Sequence, residues 1–171
     1  IGLCHGNAYA FRCIATSIEK MQSTLNGNNL HFTVPPRVAM ARIAVTDGMA
    51  VDAQNALHEM GHELVVVAVS ESDLCDGYLR DFDAIIIRSN TKLHSEAISA
   101  SVAKDGRLMV IARAGVGVDN IDIEAATENG IMVVNAPRAS TQSVVELTIG
   151  HLLASIRHLS RADASLRVGK W

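Results

Sequence analysis

From Met40 onward, short continuous apolar runs alternate with stretches whose apolar residues recur every three to four positions. Arg42–Thr46, Leu64–Val69, Ala84–Ile87, Leu108–Ala112 and Ile131–Val134 have strand length and little internal polarity. Leu64–Val69 is apolar throughout and rich in β-branched residues, which predicts a strand covered on both faces. Val51–Met60, Ser72–Asp81, His94–Ala103 and Ile121–Glu128 read as helices, Ser72–Asp81 being the weakest. Gly61, Asp105-Gly106 and Asn129-Gly130 serve as stop signals. The last helix is the longest: Val145, Ile149, Leu152, Leu153, Ile156 and Leu159 form one apolar stripe, and Ser140, Thr141 or Ser143 can cap its start. Five strands alternating with helices imply a parallel sheet with helices on both faces. Right-handed crossovers then make a flavodoxin-like doubly wound α/β domain the expected fold.

Residues 1–39 lack this rhythm. They carry Asn26-Gly27-Asn28-Asn29 and Pro35-Pro36, with Glu19 as the single acid. We read them as a poorly ordered extension, with a short helix near Ile14–Leu25, outside the functional domain. Met40 stands where a start codon would fit, and the low-acid leader allows a transit segment as the alternative. The chain begins at Ile1, so a fragment or a processed form is expected.

Composition narrows the function classes. Of 171 residues, 49% are hydrophobic and 19% charged, which supports a packed core. Fifteen basic and eighteen acidic residues give a net charge of −3, which argues against a strongly basic nucleic-acid binder. No apolar run approaches the roughly 20 residues of a membrane span. Cys4, Cys13 and Cys75 are odd in number and widely spaced, so neither a disulfide framework nor a metal cluster is indicated. A reducing, cytoplasmic setting is expected, or an organelle if residues 1–39 are a transit segment.

In doubly wound folds ligands bind beyond the carboxyl ends of the strands. Here those loops hold Asp47-Gly-Met, Arg88-Ser-Asn-Thr-Lys92, Arg113-Ala-Gly-Val-Gly-Val-Asp-Asn120 and Asn135-Ala-Pro-Arg-Ala-Ser-Thr141. Two begin with arginine and a third contains one. The planar guanidinium matches phosphate and carboxylate oxygens, so a small anion is the expected ligand. Solvated surface arginines are the plainer alternative. Two motifs mislead. His58-Glu-Met-Gly-His62 matches the zinc-protease pattern, but Gly61 breaks the helix between the histidines and no third ligand is signposted. Gly115-Val-Gly117-Val-Asp-Asn120 suggests a dinucleotide loop, yet Asn120 replaces the third glycine and no ribose-binding acid ends the next strand. These glycines are expected to let the backbone turn tightly and approach a ligand. No nucleophile triad is apparent.

The strings Arg88-Ser-Asn-Thr-Lys92, Arg113-Ala-Gly-Val-Gly-Val-Asp-Asn-Ile-Asp122, Val134-Asn-Ala-Pro137, Ser143-Val-Val-Glu-Leu147 and Gly169-Lys-Trp171 resemble the D-isomer-specific 2-hydroxyacid dehydrogenases, in family order, over Ala41–Trp171. The wording at Arg88 and Arg113 is that of the branch acting on 3-phosphoglycerate. The resemblance implies an NAD-dependent oxidoreductase that converts 3-phosphoglycerate to 3-phosphohydroxypyruvate at the opening of serine synthesis, an amino-acid biosynthesis. It implies a substrate-binding domain over 40–141. Residues 142–171 would be the leading part of a truncated nucleotide-binding domain, with its long helix. Carried over residue by residue, Arg88 and Arg113 are anion-binding candidates, Ser89, Asn90 and Gly115 are backbone donors to the substrate carboxylate, and Thr91 belongs to the same loop. Val116 is a weak candidate near the cofactor, without the hydroxyl some relatives have, and Ser140 stands where asparagine is common. The family's glycine-rich nucleotide loop, catalytic arginine and Glu–His pair have no counterpart in this chain, so no catalytic residue and no metal ligand is assigned. The expected partners are a small phosphorylated acid and, in the complete enzyme, copies of itself. The fragment alone is expected to be inactive. A non-catalytic anion-binding module and a different 2-hydroxyacid dehydrogenase are the rival readings.

Overall fold

Five parallel strands form the sheet: β1 (Arg42–Val45), β2 (Glu63–Val66), β3 (Ala84–Ile87), β4 (Val110–Arg113) and β5 (Met132–Asn135). Their order is β2-β1-β3-β4-β5, the flavodoxin-like arrangement. This computed structural model describes residues 40–170. The extension, the helix expected near Ile14–Leu25 and Trp171 lie outside them. The described chain divides into two compact units, one ending at Ala139 and one beginning at Ser140.

Alternation along the strands builds two cores. Ala44, Ile85, Ile87 and Ile111 face one side, where they meet Leu74 of α2 (Glu71–Cys75), Ala97 and Ile98 of α3 (Ser95–Val102), and Ala125 and Ala126 of α4 (Ile123–Glu128). Ile43, Val45, Ile86 and Ala112 face the other, against Ala53 and Leu57 of α1 (Val51–Glu59). Period-two alternation sends neighbours to opposite faces, so these strands read as unbroken apolar runs.

Three expectations need correction. The run Leu64–Val69 is not a strand buried on both faces. β2 ends at Val66 and stands at the sheet edge, with Val66 and Val67 exposed. An unbroken apolar run signals a strand but not its rank in the sheet. Ser72–Asp81 is two pieces, α2 and a 3₁₀ turn over Tyr78–Asp81, separated by Gly77 at φ +91°. The last helix also breaks: α5 (Thr141–Ile156) and α6 (Leu159–Arg167) meet at His158, whose φ is +51°. Ser140 precedes α5 without a side-chain capping bond. The apolar stripe of α5 is exposed.

Close approach, not a turn, requires Gly106. A Cβ there would collide with the Ser101 carbonyl oxygen and sit 2.8 Å from its carbon, and backbone atoms cannot step aside as a side chain can. Gly106→Ala is expected to cost about 1–3 kcal/mol, as overpacking does. Urea unfolding of the variant checks this.

Candidate substrate cradle at the carboxyl edge

Strand order reverses between β1 and β3. The loops leaving those strands are therefore neighbours, and the loop after β4 follows β3 on its other side. Asp47 stands just past the end of β1. Its carboxylate accepts hydrogen bonds from the backbone N–H of Arg88 (2.7 Å), Asn90 (3.2 Å) and Thr91 (3.1 Å to either oxygen), and from the Thr91 hydroxyl (2.6 Å). Thr91 Oγ1 lies 2.7 Å from Thr46 Oγ1. Burial alone would raise the Asp47 pKa. The Thr91 hydroxyl and the three amides outweigh burial and hold the carboxyl below its ordinary value.

Asn120 grips the same loop from the other side. Its Nδ2 donates to the carbonyls of Arg88 (2.9 Å) and Thr91 (2.7 Å), which leaves Oδ1 buried without a partner among the described residues. Thr46, Thr91 and Asn120 are three of the four buried polar residues described, so the polar part of the interior is concentrated here.

Arg113 is the last residue of β4, paired in register with Ile87, and not the first residue of the loop. Its side chain is only 12% exposed. Nε donates to the Arg88 carbonyl (3.3 Å), Nη1 donates to the Gly117 carbonyl (2.5 Å), and Nη2 lies 3.9 Å from the Asp119 carboxylate. The two glycines make room for this arrangement. A Cβ at Gly115 would lie 2.9 Å from Arg113 Nη1, and one at Gly117 would lie 2.8 Å from Asp119 Oδ1 and 3.4 Å from Arg113 Nη1. They admit an arginine of the protein itself, where sequence reading expected room for a ligand. The loop is also stitched to the β5 end, since Ala136 N–H donates to the Gly115 carbonyl (2.9 Å) and Asn135 Nδ2 to that of Val116 (2.6 Å).

The expected site residues thus fall on one edge with unequal availability. Arg88 is exposed, and its guanidinium forms no ion pair among the described residues. Ser89 is exposed and its N–H has no partner among them. The Asn90 N–H is held by Asp47 and the Gly115 N–H by the Arg113 carbonyl (2.8 Å), so neither is a free donor as expected. Thr91 is turned inward, its hydroxyl spent on Asp47 and Thr46. Val116 is exposed. Asp47 and Asn120 received no role from the sequence. Their signal was an Asx residue in each loop flanking the β3 loop, which becomes informative only once the strand order is known. A cavity of about 370 Å³ lies at the opposite edge, lined by Met40, Ala41, Arg42, Glu63, Asp83 and Arg107, whose charges pair with one another.

The zinc-protease match is a coincidence of spacing. α1 ends at Glu59, and His62 Nδ1 instead accepts the Ala41 N–H at 3.3 Å. No group of three or more metal-ligating side chains occurs among the described residues. The residues of the Gly115–Asn120 loop do not fit the pyrophosphate of NAD, because the space freed by their glycines is taken by the Arg113 guanidinium. No helix among the described residues is long and apolar enough to cross a membrane.

Comparison with known proteins agrees with this architecture. The family model for the catalytic domain of D-isomer specific 2-hydroxyacid dehydrogenase matches residues 43–168. The chain is 47% identical over 132 residues to a D-3-phosphoglycerate dehydrogenase of Methanocaldococcus jannaschii, covering 77% of this chain and 24% of that protein. It is 40% identical over 157 residues to D-3-phosphoglycerate dehydrogenase 2, chloroplastic, of Arabidopsis thaliana, covering 88% and 24%. The chain therefore spans about a quarter of the length of these curated relatives. Among solved structures it is similar to the NAD+-bound 3-phosphoglycerate dehydrogenase of Entamoeba histolytica, with a TM-score of 0.56 and 33% identity over 68% of this chain and 39% of that one. With the fold, the motifs and the family match in agreement, this chain belongs to the D-isomer specific 2-hydroxyacid dehydrogenases.

Proposed function

We propose that this chain supplies the substrate-binding part of an NAD-dependent dehydrogenase that oxidises 3-phosphoglycerate to 3-phosphohydroxypyruvate, the first step of serine biosynthesis. The observation that carries this reading is the junction of two arginines at neighbouring strand ends. Arg113 closes on the carbonyl of Arg88, so both arginines belong to one connected edge of the sheet. Arg88 offers an exposed guanidinium and Ser89 an N–H without a partner among the described residues, which together suit an acid bearing a carboxylate and a phosphate. The names and identities of the relatives support the same substrate. NAD would accept the hydride, and the Gly115–Asn120 loop does not fit its pyrophosphate. Hydride removal also needs a base for the hydroxyl proton. None of the expected site residues provides one, so the 171-residue chain by itself is expected to give no NADH from 3-phosphoglycerate. The scattered cysteines fit a cytoplasmic enzyme, and the exposed apolar residues of α5 fit a homo-oligomer.

Calorimetric titration of the chain tests the reading. 3-Phosphoglycerate should bind more tightly than D-glycerate or D-lactate, which lack the phosphate, and equal affinity for all three would refute it. Arg88→Ala should weaken 3-phosphoglycerate binding about tenfold, the loss of roughly one charged hydrogen bond. Its melting temperature should stay unchanged, because this exposed guanidinium holds no other part of the described fold.

A further inference from the structure

We propose that Asp47 is a positioning residue for the substrate loop: by collecting the inward-facing donors of residues 88–91, it leaves the Ser89 N–H and the Arg88 side chain as the donors presented to an anion. The inference rests on the reading of this edge as the substrate cradle.

Asp47 occupies the point of strand reversal between β1 and β3, where doubly wound folds offer anions a cluster of loop amides. In this chain the cluster is filled from within. Three amides and a hydroxyl of one four-residue stretch converge on one carboxylate. Ser89 is the exception, since its N–H alone among the four has no partner among the described residues. Asn120 completes the grip by donating to the two carbonyls that bracket the stretch, those of Arg88 and Thr91. With N–H groups held on one side and C=O groups on the other, the loop has little freedom, and Ser89 and Arg88 are left facing outward. An anion then meets a preorganised loop and does not bear the cost of ordering it.

Chemistry separates this role from a second one, in which Asp47 is merely a built-in competitor for the amides. Removing a competitor would tighten anion binding, whereas removing a positioner weakens it. Asn is nearly isosteric with Asp. Its oxygen in place of Oδ2 keeps the three amide bonds, and its NH₂ can donate to Thr91 Oγ1 if that hydroxyl turns to donate to Thr46. Neutral acceptors hold less strongly than a carboxylate.

The test is calorimetric titration of 3-phosphoglycerate into the 171-residue chain. Asp47→Ala should bind about tenfold more weakly than wild type, and Asp47→Asn should recover most of that loss. A control destabilised at the opposite, amino edge of the sheet, Leu57→Val in the last turn of α1, should lose melting temperature yet keep its Kd. Should Asp47→Ala fail to fold, Asp47→Asn alone decides, with a Kd measurably weaker than wild type but within a few-fold of it. Unchanged or tighter binding by Asp47→Ala, or by Asp47→Asn where Asp47→Ala does not fold, overturns the inference while leaving the cradle intact. Equal weakening by Leu57→Val overturns it too, since the effect would then be general loosening. Absence of binding by the wild type removes the cradle reading and this inference together.

Discussion

Asp47→Ala should lower the unfolding free energy by about 3 kcal/mol at neutral pH, because several hydrogen bonds to one charged acceptor vanish and the buried Thr91 is left with unpaired groups. Urea unfolding at pH 7 measures it, and a loss within experimental error would show that the carboxylate is dispensable. The same carboxyl imposes a pH dependence with a definite sign. Its folded pKa is depressed, so its contribution is fully present above the unfolded Asp value of about 4 and is lost as pH falls through the lower folded value. Stability attributable to Asp47 should therefore be flat from pH 7 to about 5 and decline below about 4. Subtracting the Asp47→Asn profile from that of wild type isolates this share, and a difference that fell between pH 7 and 5 would contradict the depressed pKa.

Arg113→Ala carries the largest expected effect on binding. Its guanidinium is nearly buried and ties the Arg88 carbonyl to the Gly117 carbonyl. Truncation removes a cation from the cradle and also opens the space that Gly115 and Gly117 keep for it. Binding of 3-phosphoglycerate should fall about 100-fold, and stability by about 2 kcal/mol. The contrast with Arg88→Ala is diagnostic. Arg88 should alter affinity alone, whereas Arg113 should alter affinity and melting temperature together. Arg113→Lys should restore little, because a point charge on a flexible stem cannot reproduce the two-sided fork. If Arg113→Ala melts like wild type, the side chain does not tie the loops together.

Asp119, mostly exposed at 3.9 Å from Arg113, contributes little to this arrangement. The position of Arg113 depends instead on carbonyl acceptors fixed by the backbone.

Much of this was present in the amino-acid order. Unbroken apolar runs at Ile43–Val45, Ala84–Ile87 and Val110–Ala112 gave buried parallel strands, because a strand covered on both faces tolerates no polar position. Gly61 foretold that the histidines flanking it would not share a helix, and α1 does stop before it. Arg88 and Arg113 were identifiable as strand-end arginines, since a parallel sheet gathers those ends on one edge. Other features depend on distances between segments far apart in the chain. The apolar continuity of Leu64–Val69 cannot tell an edge strand from a central one, as the exposed Val66 and Val67 show. Nor can local sequence reveal that Asp47 lies against residues more than forty positions away, that Asn120 reaches the same loop, or that Gly115 and Gly117 make room for an arginine and not a ligand. Periodicity reports whether each residue prefers water or apolar surroundings. Hydrogen-bond partners are assigned by strand order, which is settled only when the whole sheet packs.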